Sequence, residues 1–349
     1  MIEARAMSTS SVRRLRRVTR SEASPAALLA KLERGLRPRL LVVGDLVADR
    51  YVFGRTDRIS REAPVLIVRR EREEIRLGGA ANAAWNAAAL GAQVTALGVL
   101  GRDEMGRAVK KLCARFGVEL QALSDAGICT ESKTRILAGG QNTSRQQMLR
   151  LDQGQEGPLP APLRARLAEA VEALAARADA VLVSDYGAGV LGPEAIGAVC
   201  QAARQIPVVV DSRYQLHLYR GATVAKPNEP ELAAATSLPV GTAAQVARAA
   251  KVLARALGCP SVLCTRGRLG MTLLAGEKVT RFEAHGPLTA VDVTGAGDAV
   301  GAALATFLAA GGSTRAAAAL ANIAGGHVVQ KLGTATSSVR ELRAALEAG

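Results

Sequence analysis

The stretch Asp292-Val293-Thr294-Gly295-Ala296-Gly297-Asp298, which runs into the small-residue segment Ala299 to Ala310, does most to decide what kind of protein this is. The segment 299–310 predicts a helix. The two glycines before it allow backbone N–H groups to converge at the helix N-terminus, where the dipole favours an anion. Asp298 falls in the first turn, where a carboxylate usually only stabilises the helix but can also accept a proton from an attacking hydroxyl. The stretch therefore predicts an anion hole for a phosphoryl group, with a general base beside it.

Several competing motifs are absent from the sequence. It contains no GxxxxGK[ST], no GxGxxG after the first predicted strand, Leu40 to Val43, and no GxSxG. A P-loop NTPase, a dinucleotide-binding dehydrogenase and a serine hydrolase are therefore disfavoured. The three histidines, His217, His285 and His327, are widely separated and predict no histidine metal site.

Beyond residue 39, short apolar runs alternate with longer Ala-rich amphipathic stretches, which is typical of an α/β fold with helices covering a parallel sheet. Residues 50–76 and 133–151 alternate apolar and polar side chains instead, which predicts the strands of a small β lid. Two predicted sheet strands end directly in Asp185 and Asp211. Ligands bind beyond the carboxyl ends of such strands, so both acids are candidates for chemistry, with helix capping as the alternative.

The positive charge is concentrated near the N-terminus. Residues 1–39 contain ten Lys or Arg and three Glu, which is about half of the formal net charge of +14. The arginines between 13 and 20 have no aromatic neighbours on which bases could stack, and aromatics make up only 3% of the chain. We therefore expect residues 1–36 to be a flexible, solvated basic arm rather than a tether for nucleic acid or an anionic membrane.

Composition also bears on the compartment. The five cysteines form no CxxC pair, which favours reduced thiols, and the basic N-terminus lacks the apolar run of a secretory signal. The uncharged stretch Leu77 to Gly101 contains two Asn, one Gln and five Gly, so it is too polar to span a membrane. A cytoplasmic protein is expected.

These motifs together resemble those of the ribokinase-like, or phosphofructokinase B-type, carbohydrate kinases. Gly78-Gly79-Ala80-Ala81-Asn82, with Gly91 and the glycines at 98, 101 and 106, is similar to the first signature of that family, and Asp292 to Asp298 is similar to the second. The resemblance implies an α/β, ribokinase-like three-layer sandwich over residues 37–349, with a mainly parallel central sheet and a small β lid. It also implies phosphoryl transfer from ATP to a sugar hydroxyl, with Mg²⁺ and K⁺ as further requirements.

The same resemblance implies roles for individual residues. The base would be Asp298, and the anion hole would be formed by Gly295, Ala296 and Gly297. Residues implied in sugar binding are Asp49, Gly78, Gly79, Asn82 and Asp185. Residues implied on the nucleotide side are Asn228, Glu231, Thr265, Gly267 and Asn322. Asn228 and Glu231 would also organise Mg²⁺ through water, unless Asn228 only caps a helix, and Asp292 and Thr294 would hold the monovalent cation.

Within the family, several further blocks are similar to the heptose 7-phosphate kinases of ADP-heptose synthesis. Those blocks include Gly44 to Tyr51, Arg58 to Val65, Ser184-Asp185-Tyr186 and Lys331 to Thr334. The resemblance implies phosphorylation of D-glycero-D-manno-heptose 7-phosphate at O1, a step in making lipopolysaccharide precursors. Arg58, Lys133 and Arg135 are then candidates for binding the 7-phosphate, because a dianion needs nearby cations. A homodimer formed through the lid is expected, because exposed strand edges have unpaired backbone groups that can pair with another chain.

The sequence departs from that subgroup at two places. Ala188 stands where these kinases commonly have a lysine, so a positive charge near the transferred phosphate is missing there, and the loop 138–145 has an unusual composition. The HxGH motif of the nucleotidyltransferase domain carried by many relatives is absent, so only kinase chemistry is expected. Two other readings stay open: a different sugar or sugar-phosphate kinase of the family, and a catalytically reduced regulator that binds sugar phosphate.

Overall fold

The computed structural model describes residues 23–140, 145–155, 157–287 and 289–348. The strands in chain order are β1 (Arg39–Gly44), β2 (Leu46–Ile59), β3 (Leu66–Gly78), β4 (Gln93–Val99), β5 (Glu119–Leu123), β6 (Glu131–Gly139), β7 (Gln146–Gln153), β8 (Ala180–Asp185), β9 (Val208–Ser212), β10 (Val224–Ala225), β11 (Ser261–Thr265), β12 (Met271–Ala275) and β13 (Lys278–Phe282). The helices are α1 (Pro25–Glu33), α2 (Gly79–Ala89), α3 (Glu104–Arg115), α4 (Ala161–Ala175), α5 (Pro193–Ala202), α6 (Glu229–Thr236), α7 (Ala243–Leu257), α8 (Ala296–Ala309), α9 (Thr314–Val328) and α10 (Val339–Ala348).

The central sheet has nine strands within the described ranges, in the order β13-β12-β11-β10-β9-β8-β1-β4-β5. The seven strands from β11 through to β5 in that order are parallel to one another. At the other end of the sheet, β12 is antiparallel to β11, and β13 is antiparallel to β12. Every residue of β8 is buried, as expected for a strand covered on both faces. One apolar cluster packs α2, α8 and α9 on one face, and another packs α4, α5 and α7 on the other, which makes three layers.

The predicted lid is a separate four-stranded sheet in the order β3-β2-β6-β7. Strand β2 is antiparallel to β3 and parallel to β6, and β6 and β7 are antiparallel, so the two predicted hairpins lie side by side. The first hairpin spans Leu46 to Gly78, slightly more than the predicted 50–76. Residues 141–144, which are half of the unusual 138–145 loop, lie outside the described residues.

The N-terminal range differs from the expected flexible arm. Residues 25–33 form α1, which begins after the capping residue Ser24 and buries Leu28, Leu29 and Leu32 in the core. Arg343 on α10 also forms an ion pair with Glu33 at 2.8 Å. The expectation of an arm over 1–36 is therefore wrong for this helix, because three leucines at helical spacing give it an apolar face to bury. Residues 1–22 lie outside the described residues.

The fold brings several chain-distant segments to one edge of the central sheet. The loops after β8, β9 and β10 leave the carboxyl ends of neighbouring parallel strands, where α/β proteins of this kind bind ligands. Helices α2 and α8 pack against each other. No helix in the described part of the chain is both long and apolar enough to cross a membrane.

Candidate active site

The N-terminus of α8 has the geometry predicted for an anion hole. Gly295 precedes the first turn in the left-handed conformation, with φ +79°. A Cβ atom at this position would lie 2.7 Å from Nδ2 of Asn82, so only glycine fits both the backbone and the packing. Asn82 is itself fully buried in α2. The first signature and the second signature therefore contact each other at this point.

Asp298 lies in the first turn of α8 and is 3% exposed. Asn82 Nδ2 donates to one carboxylate oxygen at 2.7 Å, and the Tyr186 hydroxyl donates to the other at 2.8 Å. Burial raises the pKa of Asp298 to about 7, although the hydrogen bonds from Asn82 and Tyr186 act in the opposite direction and lower it. A carboxylate that exchanges its proton near neutrality suits a general base.

Polar side chains of the lid lie near Tyr186, the residue that donates to Asp298. Asp49 is 4% exposed and accepts from Arg135 Nη1 at 2.6 Å. A Cβ at Gly78 would lie 2.6 Å from the Asp49 carboxylate, so glycine allows that close approach. The Nζ of Lys133 lies 4.9 Å from the centre of the Tyr186 ring. The structure thus groups Asp49, Gly78, Lys133 and Arg135 near Asn82 and the base.

Two predicted sugar-binding residues have other surroundings. Arg58 is exposed near the far end of β2, nine residues and therefore about 30 Å along the strand from Asp49. Asp185 accepts from Ser212 Oγ at 2.7 Å, from the Tyr219 hydroxyl at 3.1 Å and from the backbone N–H of Gly187 at 3.0 Å. Both of its oxygens are engaged, which is the geometry of a residue that holds a loop. The sequence could not reveal Ser212 and Tyr219 as partners, because they lie 27 and 34 residues further along the chain.

A polar cavity of about 280 Å³ opens beside the anion hole. Its lining includes Lys226, Asn228 and Glu231, together with Gly295 and Gly297. Lys226 is 3% exposed, and its Nζ lies 2.9 Å from Oδ2 of Asp211. Burial by itself would lower the pKa of Lys226, but the charge of Asp211 outweighs it and holds that pKa above its ordinary value. A fixed cation therefore lies next to the helix N-terminus.

Asn228 and Glu231 form a reciprocal cap at the start of α6. The backbone N–H and Nδ2 of Asn228 both donate to the Glu231 carboxylate at 2.9 Å, and Glu231 N–H donates to Asn228 Oδ1 at 2.8 Å. The capping alternative thus describes the local structure, yet both side chains also line the polar cavity. In the described residues no group of three His, Cys, Asp or Glu could enclose a metal. The cavity offers one carboxylate, that of Glu231, and the amide of Asn228, and Mg²⁺ usually binds through one or two carboxylates, waters and substrate phosphates.

A second, more apolar cavity of about 450 Å³ adjoins the polar one, and the two share Thr265, Val293 and Gly297. Gly267 and Asn322 also line it, so the structure brings together the residues predicted on the nucleotide side. The amide of Asn322 donates to the carbonyl of Glu283 at 2.7 Å. An apolar cleft that leads to a polar cavity lined by Lys226 can hold a purine base with its phosphates.

Asp292 holds the loop that precedes α8. Its two oxygens accept from the backbone N–H groups of Thr294 and Gly333, each at 2.9 Å. Burial tends to raise the pKa of Asp292, but these hydrogen bonds outweigh it and leave the pKa below its ordinary value. Next to Gly333, the hydroxyl of Thr334 is buried without a hydrogen-bond partner in the described part of the chain. An ionised carboxylate and an unpaired hydroxyl oxygen fit a hard cation.

Sequence reasoning missed two residues that the structure places at the centre of the site, Tyr186 and Lys226. Tyr186 belongs to the quoted block Ser184-Asp185-Tyr186, and Lys226 lies two residues before Asn228. Their contacts are with Asp298 and Asp211, which are 112 and 15 residues away along the chain. The available signal was a tyrosine or a lysine at the end of a short strand, where side chains face the ligand edge of the sheet.

Comparison with known proteins shows the family and the fold of this chain. The model of the pfkB family carbohydrate kinases matches residues 37–341, so the chain belongs to this family. The fold is similar to that of ribokinase from Arabidopsis thaliana complexed with ribose and ATP, with a TM-score of 0.69, 23% identity and coverage of 89% of this chain and 98% of that one. It is also similar to phosphofructokinase-2 from Escherichia coli in complex with potassium, with a TM-score of 0.72, 19% identity and coverage of 90% and 99%. The predicted family and fold class are confirmed.

Two groups of relatives have much higher sequence identity. The chain is 44% identical to the D-beta-D-heptose 7-phosphate kinase of Bordetella bronchiseptica over 318 residues, which is 89% of this chain and 96% of that protein. It is 42% identical to the bifunctional protein HldE of Trichlorobacter lovleyi over 315 residues, which is 88% of this chain and 62% of that protein. The chain thus spans less than two thirds of the length of that bifunctional relative.

Proposed function

We propose that this protein is an ATP-dependent kinase that phosphorylates D-glycero-D-manno-heptose 7-phosphate on its anomeric O1 hydroxyl. The observation that carries the proposal is the buried carboxylate of Asp298, held by two donors at the mouth of the α8 anion hole. The name of the Bordetella relative, which is matched over nearly its whole length, supports the choice of sugar. A cytoplasmic location suits a substrate of this kind.

In this mechanism Asp298 takes the proton of the O1 hydroxyl as that oxygen attacks the γ-phosphorus of ATP in line. The new O1–P bond forms while the bond from the γ-phosphorus to the β-phosphate oxygen breaks, and ADP leaves. The backbone N–H groups at Gly295 to Gly297 and the Lys226 cation stabilise the charge on the transferred group. Asp298 then returns its proton to solvent.

Two cations would assist this chemistry. Glu231 and Asn228 would hold Mg²⁺ through water, and the ion would neutralise charge on the phosphates. Asp292, with the oxygens of Thr294 and Thr334, would hold K⁺ and keep the loop before α8 ordered. The potassium complex of the phosphofructokinase-2 neighbour supports the second assignment.

For the sugar's own phosphate, the lid offers the best cations. Lys133 and Arg135 lie next to Asp49 and the Tyr186 ring, close to where the hydroxyls of the sugar would bind. Arg58 cannot bind the same phosphate within one copy of the chain, because it lies about 30 Å along β2 from Asp49.

A homodimer formed through the lid is also part of the proposal. The lid exposes apolar side chains at both of its edges: Val65 and Leu66 at the β3 edge, and Leu149 and Leu151 on β7, are between 47% and 57% exposed. Exposed apolar side chains next to unpaired strand edges are typical of an interface.

The proposal is tested by ADP release from Mg·ATP in K⁺ buffer with a panel of sugars. The panel contains heptose 7-phosphate, fructose 6-phosphate, fructose 1-phosphate, ribose and adenosine. Turnover on heptose 7-phosphate at least about 10²-fold above the others, in kcat/KM, is expected. Preferential turnover of another sugar would show that the protein is a kinase but that the heptose assignment is wrong. Binding of a sugar phosphate without turnover would indicate a regulator instead.

A further inference from the structure

Tyr186 reaches the catalytic base from the loop that follows β8. Its hydroxyl donates to Oδ1 of Asp298 at 2.8 Å, while its backbone N–H donates to Oδ2 of Asp45 at 2.7 Å. The N–H of Ala188 donates to the same Asp45 oxygen at 3.2 Å. Asp45 is fully buried, so the loop that carries Tyr186 is fixed from inside the protein.

The hydroxyl of Tyr186 has a role that packing does not explain. A phenylalanine would fill the same volume, whereas the hydroxyl is aimed at the one carboxylate that the proposed chemistry needs. Burial raises the pKa of Tyr186 well above its ordinary value, and the nearby charge of Asp298 raises it further. The phenol therefore stays protonated and donates at every pH at which the enzyme works.

With Asn82 on one oxygen and Tyr186 on the other, the carboxylate of Asp298 cannot rotate freely. Each carboxylate oxygen has a second lone pair, so a sugar hydroxyl can still be bound while both protein donors stay in place. The two donors also favour the ionised form of the carboxyl group, which is the form that acts as a base.

The Tyr186 ring connects this arrangement to the lid. Lys133 of β6 places its ammonium group 4.9 Å from the ring centre, a distance at which a cation is attracted to an aromatic face. Lys133 lies directly opposite Asp49 in the register of β2 and β6. Lys133 therefore lies beside Asp49, a proposed sugar-binding residue, and also contacts Tyr186, which donates to Asp298.

We propose that Tyr186 is a positioning residue that orients the Asp298 carboxylate and connects it to lid strand β6 through Lys133. This inference rests on the proposed function, because it assigns Asp298 as the base. Lys226 and Asp211 also face Asp298, but their charges remain when the phenol hydroxyl is removed.

The test is Tyr186→Phe in the full chain, compared with Tyr219→Phe as a matched control. Tyr219 also donates to a buried carboxylate, that of Asp185, but it does not contact the base. Loss of a hydrogen bond to a charged group is expected to move the acid limb of the kcat/KM profile up by about one pH unit and to lower kcat about tenfold. The KM for ATP is expected to stay unchanged, and Tyr219→Phe is expected to leave the acid limb in place.

A second readout does not depend on turnover. In a ¹³C titration of the aspartate carboxyl groups of the free protein, the pKa of Asp298 is expected to rise in Tyr186→Phe. Asp45, whose pKa burial also raises to about 7, keeps its backbone donors and serves as an internal reference. If no sugar is turned over but this titration moves, the proposed function fails while the positioning role stands. An active Tyr186→Phe enzyme with an unshifted acid limb and an unshifted titration would overturn the inference.

The connection to the lid is tested by a double-mutant cycle of Tyr186→Phe and Lys133→Met on kcat. If Lys133 acts through the ring, the double variant is expected to be less impaired than the product of the two single effects. If the two effects simply multiply, the connection to the lid is wrong.

Discussion

At the level of single residues, the site holds charges of both signs in one buried space. Lys226 and Asp211 form an ion pair behind Gly297, and both act electrostatically on Asp298. Lys226, which follows the last residue of β10, thus places a cation beside the anion hole. The sequence shows that a cation is missing at position 188, but only the fold shows that Lys226 lies next to Gly297.

The contribution of Lys226 can be separated from its effect on folding. Lys226→Met leaves Asp211 buried and unpaired, which destabilises the protein, whereas Asp211→Asn/Lys226→Met removes both charges. The double variant is expected to recover most of the lost thermal stability, with kcat still reduced by about 10²-fold, since a charge facing the transferred group is missing. Thermal unfolding and ADP-release kinetics on the three proteins measure this. Recovery of kcat in the double variant would show that Lys226 serves only the fold.

The raised pKa of Asp298 also predicts how stability depends on pH. Its pKa in the folded protein is about 7, against 3.8 as the ordinary value, so the folded state keeps a proton that the unfolded state loses. Asp298 therefore makes the protein less stable as the pH rises from about 4 to about 7, and the effect is constant above that. The Tm of Asp298→Asn minus that of the wild type is expected to increase between pH 4 and pH 8. A difference that does not change with pH would mean that the pKa of Asp298 is not raised.

At the level of secondary structure, the sequence predicts the regular elements well because their signals are local. Runs such as Val181-Leu182-Val183 indicate buried parallel strands, and the alternating residues of 50–76 indicate the lid hairpin. Helix α1 was missed because its arginine-rich surroundings suggested a solvated arm, while only its tertiary packing shows that Leu28, Leu29 and Leu32 are covered. The partners of Asp185 could not be predicted, because they depend on how strands pack.

The turn before α8 offers a test at this level. Gly295→Ala adds a Cβ to a residue with φ +79° and brings it within 2.7 Å of the Asn82 amide that holds the base. Gly258→Ala at the end of α7 has a similar φ of +62° but meets no atom within 4 Å. Both variants are expected to lose about 1 kcal/mol from backbone strain. Only Gly295→Ala is expected to lose kcat, by at least about tenfold, because Asn82 must move away from Asp298. Equal activity of the two variants would contradict the described contact.

At the level of the whole molecule, the lid has two faces with different chemistry. The inner side carries Asp49, Lys133 and Arg135 towards the base, and the outer strands expose Leu149 and Leu151. A second copy of the chain that covers the exposed leucines would hold the lid over the sugar. Exclusion of water by such a lid would limit hydrolysis of ATP.

The dimer is tested by light scattering on Leu149→Lys/Leu151→Lys, with Val252→Lys on α7 as a control for an exposed apolar residue elsewhere. The wild type and the control are expected to be dimers and the lid variant a folded monomer, since both leucines are half exposed in one copy and are not needed for its core. A wild-type monomer, or a lid variant that remains dimeric, would remove the lid interface from the proposal.

The proposed role of Asp298 as the base of a heptose 7-phosphate kinase can be measured in a single variant. Turnover of heptose 7-phosphate by Asp298→Asn is compared with the wild type, with ATP affinity measured by calorimetry on both. We expect unchanged ATP binding and a kcat at least about 10²-fold lower. Wild-type turnover in Asp298→Asn would contradict the proposed role.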